Sequence, residues 1–294
     1  MKQESLFVPQ GNAKLHLRHI SQQKGGIPIL MLHGAIENGK IFYTHKGKGL
    51  ACYLAEQGFD VYVADFRGRG LSIPSIKEQS DHGQHHSITE DIPTLVEFVF
   101  NLTNQPMHIV CHSWGGVLFS SSLVRHPEMR DKIRTKLCFG TKRQIMVWNL
   151  ERIMSVSLFW KRLAPWLSKK SGYLDAVKFK AGSDSETYTT VMDNIAWVNP
   201  SLWRDTVDDF DYAQAAKEFD WPPTWHLTGI KDHALGHAKD VQLFIDECDN
   251  KQAKFSNLSI KSGAALDYDH INILTHPLAR TDHFPKITEW LKQH

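Results

Sequence analysis

The stretch Met107-His108-Ile109-Val110-Cys111-His112-Ser113-Trp114-Gly115-Gly116-Val117 most restricts what this chain can fold into. Ile109, Val110 and Cys111 form an apolar run short enough for a strand buried in a parallel sheet, and Pro106 punctuates its start. Past Ser113, Gly115 and Gly116 add backbone freedom and minimal bulk, and Val117-Leu118-Phe119 and Leu123-Val124 resume at helical spacing. A serine in a sharp strand-to-helix turn is pushed out of the sheet with its hydroxyl exposed. The helix behind it aims its positive end and free N–H groups at whatever sits on that hydroxyl.

The rest of the chain supplies the sheet this strand needs. Leu6-Phe7-Val8 and Lys14-Leu15-His16-Leu17-Arg18 alternate around Gly11-Asn12 and predict an antiparallel hairpin. Ile27 to Leu32 is a continuous apolar run of the kind buried on both faces, ended by His33-Gly34-Ala35. A helix near residues 49–57 precedes the strand Val61-Tyr62-Val63-Ala64, and a second begins at about Thr89. After the serine helix, a strand is expected near 136–140, then strands at 224–229 and 255–260, with helices at about 239–248 and 285–291. Strands separated by such helices indicate right-handed crossovers and an α/β architecture with a mostly parallel central sheet.

That alternation breaks between Thr141 and Phe219. Five of the nine tryptophans (Trp148, Trp160, Trp166, Trp197, Trp203) fall there, mixed with Lys161, Arg162, Lys169 and Lys170. The segment is too long for a connector. It reads as an inserted helical lid at 142–219, which leaves 1–141 and 220–294 as the core domain.

Composition excludes some function classes. A net charge of +2 from 34 basic and 32 acidic residues gives no footprint for nucleic acid. No apolar run reaches the length of a membrane span, and the N-terminus lacks a signal-peptide pattern, so no stable membrane insertion is expected. Cys52, Cys111, Cys138 and Cys248 are scattered in apolar surroundings and read as reduced core cysteines of a cytoplasmic protein.

A serine hydroxyl becomes a nucleophile only when a base takes its proton and a third group orients that base. In an open parallel sheet these groups belong just past the C-terminal ends of strands. Ile230-Lys231-Asp232-His233 follows one late strand, and Asp267-Tyr268-Asp269-His270-Ile271-Asn272 follows the last. Asp232 and His270 complete a Ser…Asp…His order. The acid could instead follow the strand before the insertion, but Thr141-Lys142-Arg143-Gln144 offers no carboxylate before Glu151.

With these residues in place the chain resembles the α/β-hydrolase fold, of the capped esterase/lipase-like type, over nearly its whole length. Cys111-His112-Ser113-Trp114-Gly115 is similar to the family's G-x-S-x-G nucleophile elbow, with Cys111 in place of the first glycine. His33-Gly34 resembles the loop that gives the second oxyanion-hole amide, here from Ala35. Asp65-Phe66-Arg67-Gly68-Arg69-Gly70-Leu71-Ser72 is similar to the family's glycine-rich turn after the fourth strand. The resemblance implies acyl transfer: Ser113 attacks, His270 accepts the proton, Asp232 orients His270, and the Ala35 and Trp114 N–H groups hold the oxyanion. It implies no metal or organic cofactor and a small-molecule ester or lipid-like substrate, with oligomeric state unspecified.

Other readings compete. Ser113 could be an ordinary helix N-cap, and Asp232 could cap a turn. His276 and His283 rival His270 and read as surface residues. His82, His85 and His86, and the pair His233 and His237, read as solvated rather than metal-binding, with no carboxylate cluster nearby in sequence. Arg67 and Arg69 fit an exposed turn as well as an anionic substrate. The aromatic-rich lid suggests an apolar acyl pocket and hence an ester of a small to medium apolar acid. The same triad serves thioesterases, amidases, carbon–carbon bond hydrolases and acyltransferases, and a non-catalytic ligand binder could keep the fold.

Overall fold

The computed structural model describes residues 1–23, 25–198, 200 and 203–294. Eight strands form one sheet: β1 (Lys2–Gln10), β2 (Ala13–Ser21), β3 (Pro28–Leu32), β4 (Asp60–Asp65), β5 (Met107–His112), β6 (Ile133–Phe139), β9 (Thr224–Gly229) and β10 (Lys254–Leu258). A separate pair, β7 (Tyr173–Leu174) and β8 (Glu186–Thr187), lies between β6 and β9 in the chain. The order in the large sheet is β1-β2-β4-β3-β5-β6-β9-β10. β1 and β2 form the expected hairpin, in register from Lys2–Ser21 to Gln10–Ala13 around Gly11 at φ +56°. β2 runs antiparallel to β4, and every later pairing is parallel.

Every residue of β3, β4 and β5 is buried, which is why these strands read as unbroken apolar runs rather than alternating ones. Helices Ile92–Thr103, Trp114–Arg125 and Ala238–Glu247 send Leu95, Val99, Val117, Phe119 and Phe244 into the core on one face. Helices Leu50–Glu56 and His283–Gln293 send Leu50, Leu54, Phe284, Ile287 and Leu291 into the core on the other. From β3 the chain crosses to β4 on one side and later returns to β5 on the other. The C-terminal ends of β3 and β5 therefore flank a crevice where open α/β sheets bind ligands.

Residues 142–219 are mixed rather than wholly helical. One helical run over 150–169 has a π-helical middle (Ile153–Leu163), and the β7–β8 pair leads into helices Tyr188–Trp197 and Tyr212–Glu218. Ala164, Leu174, Ala176 and Val191 form a small core of their own. Trp197 and Trp203 are buried, whereas Trp148 and Trp166 are 76% and 74% exposed. The helix expected from Thr89 starts earlier: Gln84–His86 and a π-helical Ser87–Asp91 run directly into Ile92–Thr103. No helix among the described residues is long and apolar enough to cross a membrane.

Candidate active site

Ser113 sits between β5 and the helix Trp114–Arg125 with φ +50° and ψ −123°, a conformation that costs a non-glycine residue energy and recurs at functional turns. Two neighbours show why Trp114 must be followed by Gly-Gly. A Cβ on Gly115 would collide with the His33 carbonyl oxygen, and one on Gly116 would collide with Thr141 Oγ1. Cys111 fits at the position before His112 because β6 places Cys138 opposite it, and both thiols are buried. All four cysteines are buried and unbridged.

The late-strand residues meet at the same end of the sheet. His270 Nδ1 and Asp232 Oδ2 lie 2.5 Å apart, and the Gly236 N–H donates to Asp232 Oδ1 at 2.7 Å. Ser113 N–H donates to Phe139 O at 2.7 Å, and a Cβ on the next residue, Gly140, would come within 2.8 Å of the His270 ring. The Phe139–Gly140 corner thus touches both Ser113 and His270. Ser113, 8% exposed, and His270 make no side-chain hydrogen bond to each other: neither Ser113 Oγ nor His270 Nε2 has a partner among the described residues. Burial lowers the His270 pKa; the Asp232 charge opposes this, and His112 and Lys142 push it further down. Burial raises the Asp232 carboxyl, but His270, Lys142 and the Gly236 amide outweigh it and hold the carboxylate below its ordinary range.

The loop after β3 closes the site from the other side. Gly34 packs against Ser113, so that a Cβ on it would lie 2.8 Å from Ser113 Cβ. The N–H groups of Ala35 and Trp114 have no acceptor among the described residues, the latter as the first donor of its helix. His33 is fully buried: it accepts from Phe66 N–H at 3.1 Å through Nε2, and Nδ1 therefore donates to Gly34 O at 2.8 Å. It ties the loop after β3 to the glycine-rich loop after β4.

Two residues without an assigned role in the sequence complete the arrangement. Glu37 accepts from the Gly34 N–H and pairs with His112 Nδ1 at 2.6 Å, while His112 Nε2 faces His270 O at 3.0 Å. The two rings, of His112 and His270, are 4.7 Å apart. Burial pushes the His112 pKa down, yet the Glu37 charge and hydrogen bond prevail and raise it; Glu37 is held low in turn, against burial, by His112. Adjacent to Ser113, the capacity of His112 for two hydrogen bonds was a visible signal; the partner 75 positions away was not.

Segment 182–186 grips the same loop. Ser183 and Asp184 N–H donate to Ile36 O at 2.9 and 3.0 Å, and Ile36 N–H donates to Glu186 Oε2 at 3.3 Å. Asn38 Nδ2 and Gly70 N–H both donate to Asp184 Oδ2, at 2.9 and 2.7 Å. Ile36 itself is held at φ +51°, costly for a β-branched residue.

Several surface expectations are corrected. Arg67 and Arg69 are buried, the first paired with Asp91 at 2.8 Å and the second with Glu186, so neither lies on an exposed turn. His283 is buried and donates from Nε2 to Ile273 O at 2.8 Å, while His276 caps a short turn at Leu278 N–H. His82 is buried rather than solvated. His85 does meet a carboxylate pair, Asp205 and Asp208, but the Arg125 guanidinium bonds both of those aspartates and Tyr212 OH bonds Asp205.

Comparison with known proteins places the chain. A model of the family described as serine aminopeptidase, S33 (Hydrolase_4), matches residues 23–257. Triacylglycerol lipase 1 of Arabidopsis thaliana is 26% identical over 109 residues, 35% of this chain and 28% of that protein. A probable lysophospholipase L2 of Haemophilus influenzae is 28% identical over 116 residues, 39% and 36% of the respective chains. The matched region thus spans little more than a third of these relatives at most. Among solved structures, a soluble variant of monoglyceride lipase from Saccharomyces cerevisiae superposes with a TM-score of 0.69 at 19% identity, covering 100% of this chain and 95% of that one. Carboxylesterase CesB of Bacillus subtilis gives 0.60 at 15% identity over 100% and 93%. The structural likenesses show the fold of α/β hydrolases, and the family model, matched over residues 23–257, shows that the chain belongs to the S33 family.

Proposed function

We propose that the protein is a serine hydrolase that cleaves a carboxylic ester of a small to medium apolar acid through an acyl-enzyme. The observation that carries this is the single corner at Phe139–Gly140, which Ser113 touches on one side and the Asp232–His270 pair on the other. Ser113 Oγ attacks the ester carbonyl carbon as its proton passes to His270 Nε2, and Asp232 holds the imidazole and stabilises its cation. The developing oxyanion is received by the Ala35 and Trp114 N–H groups, each worth about 3–4 kcal/mol of barrier by analogy with measured oxyanion donors. The alcohol leaves with the proton from His270. Water, deprotonated by His270, then attacks the acyl carbon, and Ser113 leaves as the proton returns to it. That Ser113 and His270 share no side-chain hydrogen bond fits a bond that forms only once substrate is bound.

An apolar acid is supported by the names of the lipase relatives. In this reading 1–141 and 220–294 form the core, 142–219 is the lid, and unbridged cysteines favour the cytoplasm. The test is intact-protein mass after a fluorophosphonate, for wild type and Ser113→Ala, followed by an ester, thioester and amide panel. One adduct on wild type alone, with ester turnover, is expected. No adduct on folded wild type removes the reading, and faster turnover of amides or thioesters redirects it.

A further inference from the structure

Lys142 is the first lysine past β6 and is 5% exposed; burial lowers its pKa, and it has neither a hydrogen-bond acceptor nor an ion-pair partner among the described residues. The Nζ atom is not among the fully enclosed polar atoms, so an otherwise buried side chain presents its ammonium to a small opening with no protein partner there, which calls for an explanation. Its Nζ stands 6.0 Å from the ring centroid of Trp114, the residue that follows the nucleophile. Three carboxylates are near enough to act on its charge: Asp232, Asp240 and Glu37. Asp232 is committed to His270 and Gly236 and Glu37 to His112 and Gly34, whereas Asp240 accepts from the Met146 amide through Oδ1 and keeps a buried Oδ2 without a partner among the described residues. A lysine placed only to neutralise one of them would sit within bonding reach of it, and Lys142 does not. A second donor flanks the same indole. Gln84 Oε1 takes the Trp114 Nε1–H at 3.3 Å, and buried Gln84 Nε2 has no acceptor among the described residues.

We propose that Lys142 is an anion-binding group of the Ser113 site, so that the preferred ester carries a carboxylate or phosphate that reaches the ammonium beside Trp114. The inference rests on the serine-hydrolase reading: a phosphate in the alcohol half leaves the apolar acid of that reading standing, whereas a carboxylate in the acyl half replaces it. The anionic group, on either half of the ester, replaces the acceptor that Lys142 lacks. Desolvated and already positioned, the ammonium gains a charge-assisted hydrogen bond without new ordering of its side chain.

The experiment compares matched pairs on wild type, Lys142→Met and Lys142→Arg. p-Nitrophenyl hydrogen glutarate against its methyl ester tests a carboxylate in the acyl half, and butanoyl-glycerol phosphate against monobutanoylglycerol tests a phosphate in the alcohol half. Wild type is expected to favour the anionic member of at least one pair by about tenfold or more in kcat/KM. Lys142→Met should collapse that ratio and Lys142→Arg should restore part of it, and the pair affected identifies the anion. Equal turnover of both members by wild type, or equal loss on both in Lys142→Met, overturns the proposal, the latter because it marks action through His270 or the fold. Calorimetric binding of glutarate and glycerol phosphate to Ser113→Ala, with and without Lys142→Met, keeps the two readings separable. If no ester is cleaved, an anion bound only when Lys142 is present upholds this site while the hydrolase reading fails. No binding in either protein sinks both.

Discussion

Two acid–histidine pairs stand side by side at the C-terminal end of the sheet, and they are held in opposite states. Asp232–His270 and Glu37–His112 have nearly the same contact, 2.5 and 2.6 Å, and both imidazoles are buried. Burial lowers both pKa values, but His112 ends above its ordinary range and His270 below it. What differs is the second nitrogen. That of His112 meets a carbonyl oxygen, so both of its nitrogens must donate, which only the imidazolium can do. That of His270 has no partner among the described residues, and the positive charges of His112 and Lys142 nearby discourage a resident proton. One pair is built to keep its proton and the other to stay ready to accept one. The carboxylate is the same in kind; the far side of the ring decides the role.

The largest break in this comparison is to the pair with the open nitrogen. His270→Ala or Asp232→Asn should lower kcat by about 10⁴-fold with the fold intact, measured as initial ester hydrolysis beside circular dichroism. Unchanged turnover would return the assignment to His276 or to no histidine at all.

Glu37→Gln attacks the charged pair instead. It strands a buried imidazolium and should cost about 3–5 kcal/mol in urea unfolding. The double variant Glu37→Gln/His112→Gln should recover part of that loss, since no uncompensated charge remains. A single variant as stable as wild type would mean that His112 is neutral.

The same pair sets a pH window. The raised folded pKa of His112 makes its contribution complete below the unfolded value of 6.5, and it is lost as pH rises through the higher folded value. The depressed folded pKa of Glu37 makes its contribution complete above 4.5, and it is lost as pH falls through the lower folded value. The stability gap between wild type and the double variant should therefore be widest between 4.5 and 6.5 and narrow on both sides. A flat difference across that range in pH-dependent urea melts would refute the ionic state. For catalysis, the acid limb of kcat/KM should fall below 6.5 and move upward in His112→Gln, which removes a positive charge beside His270. An unmoved limb would show that His112 exerts no field there.

The smallest effect expected is from the rival histidine. His276→Ala should leave kcat within about twofold and unfolding within about 0.5–1 kcal/mol, because the side chain only caps Leu278 at a half-exposed turn.

Much of the fold was legible because local rules and burial agreed. β3, β4 and β5 are buried on both faces and read as apolar runs, and the Gly11-Asn12 turn set the hairpin register. Ser113 and Asp232 are readable as candidates because each lies in the turn just after a strand, and His270 because it lies in the longer connection after the last strand. What was hidden depends on contacts between distant segments. Arg69 and Glu186 are 117 positions apart, so a glycine-rich turn full of arginine looked exposed when a later segment covers it. Glu37 and His112 are separated by 75 positions and carry no shared pattern. Lys142 drew notice only for not being a carboxylate, since burial without a partner is a property of the folded surroundings.

The Ile36 grip has a thermodynamic consequence. The residue beside Ala35 keeps a strained backbone only while 182–186 supplies its acceptor and donors. Displacement of that segment and relaxation of the loop are then one linked equilibrium, and linkage works in both directions. A phosphonate that occupies the two free amides should slow hydrogen exchange not only at Ala35 but across 182–186, far along the chain from any atom it touches.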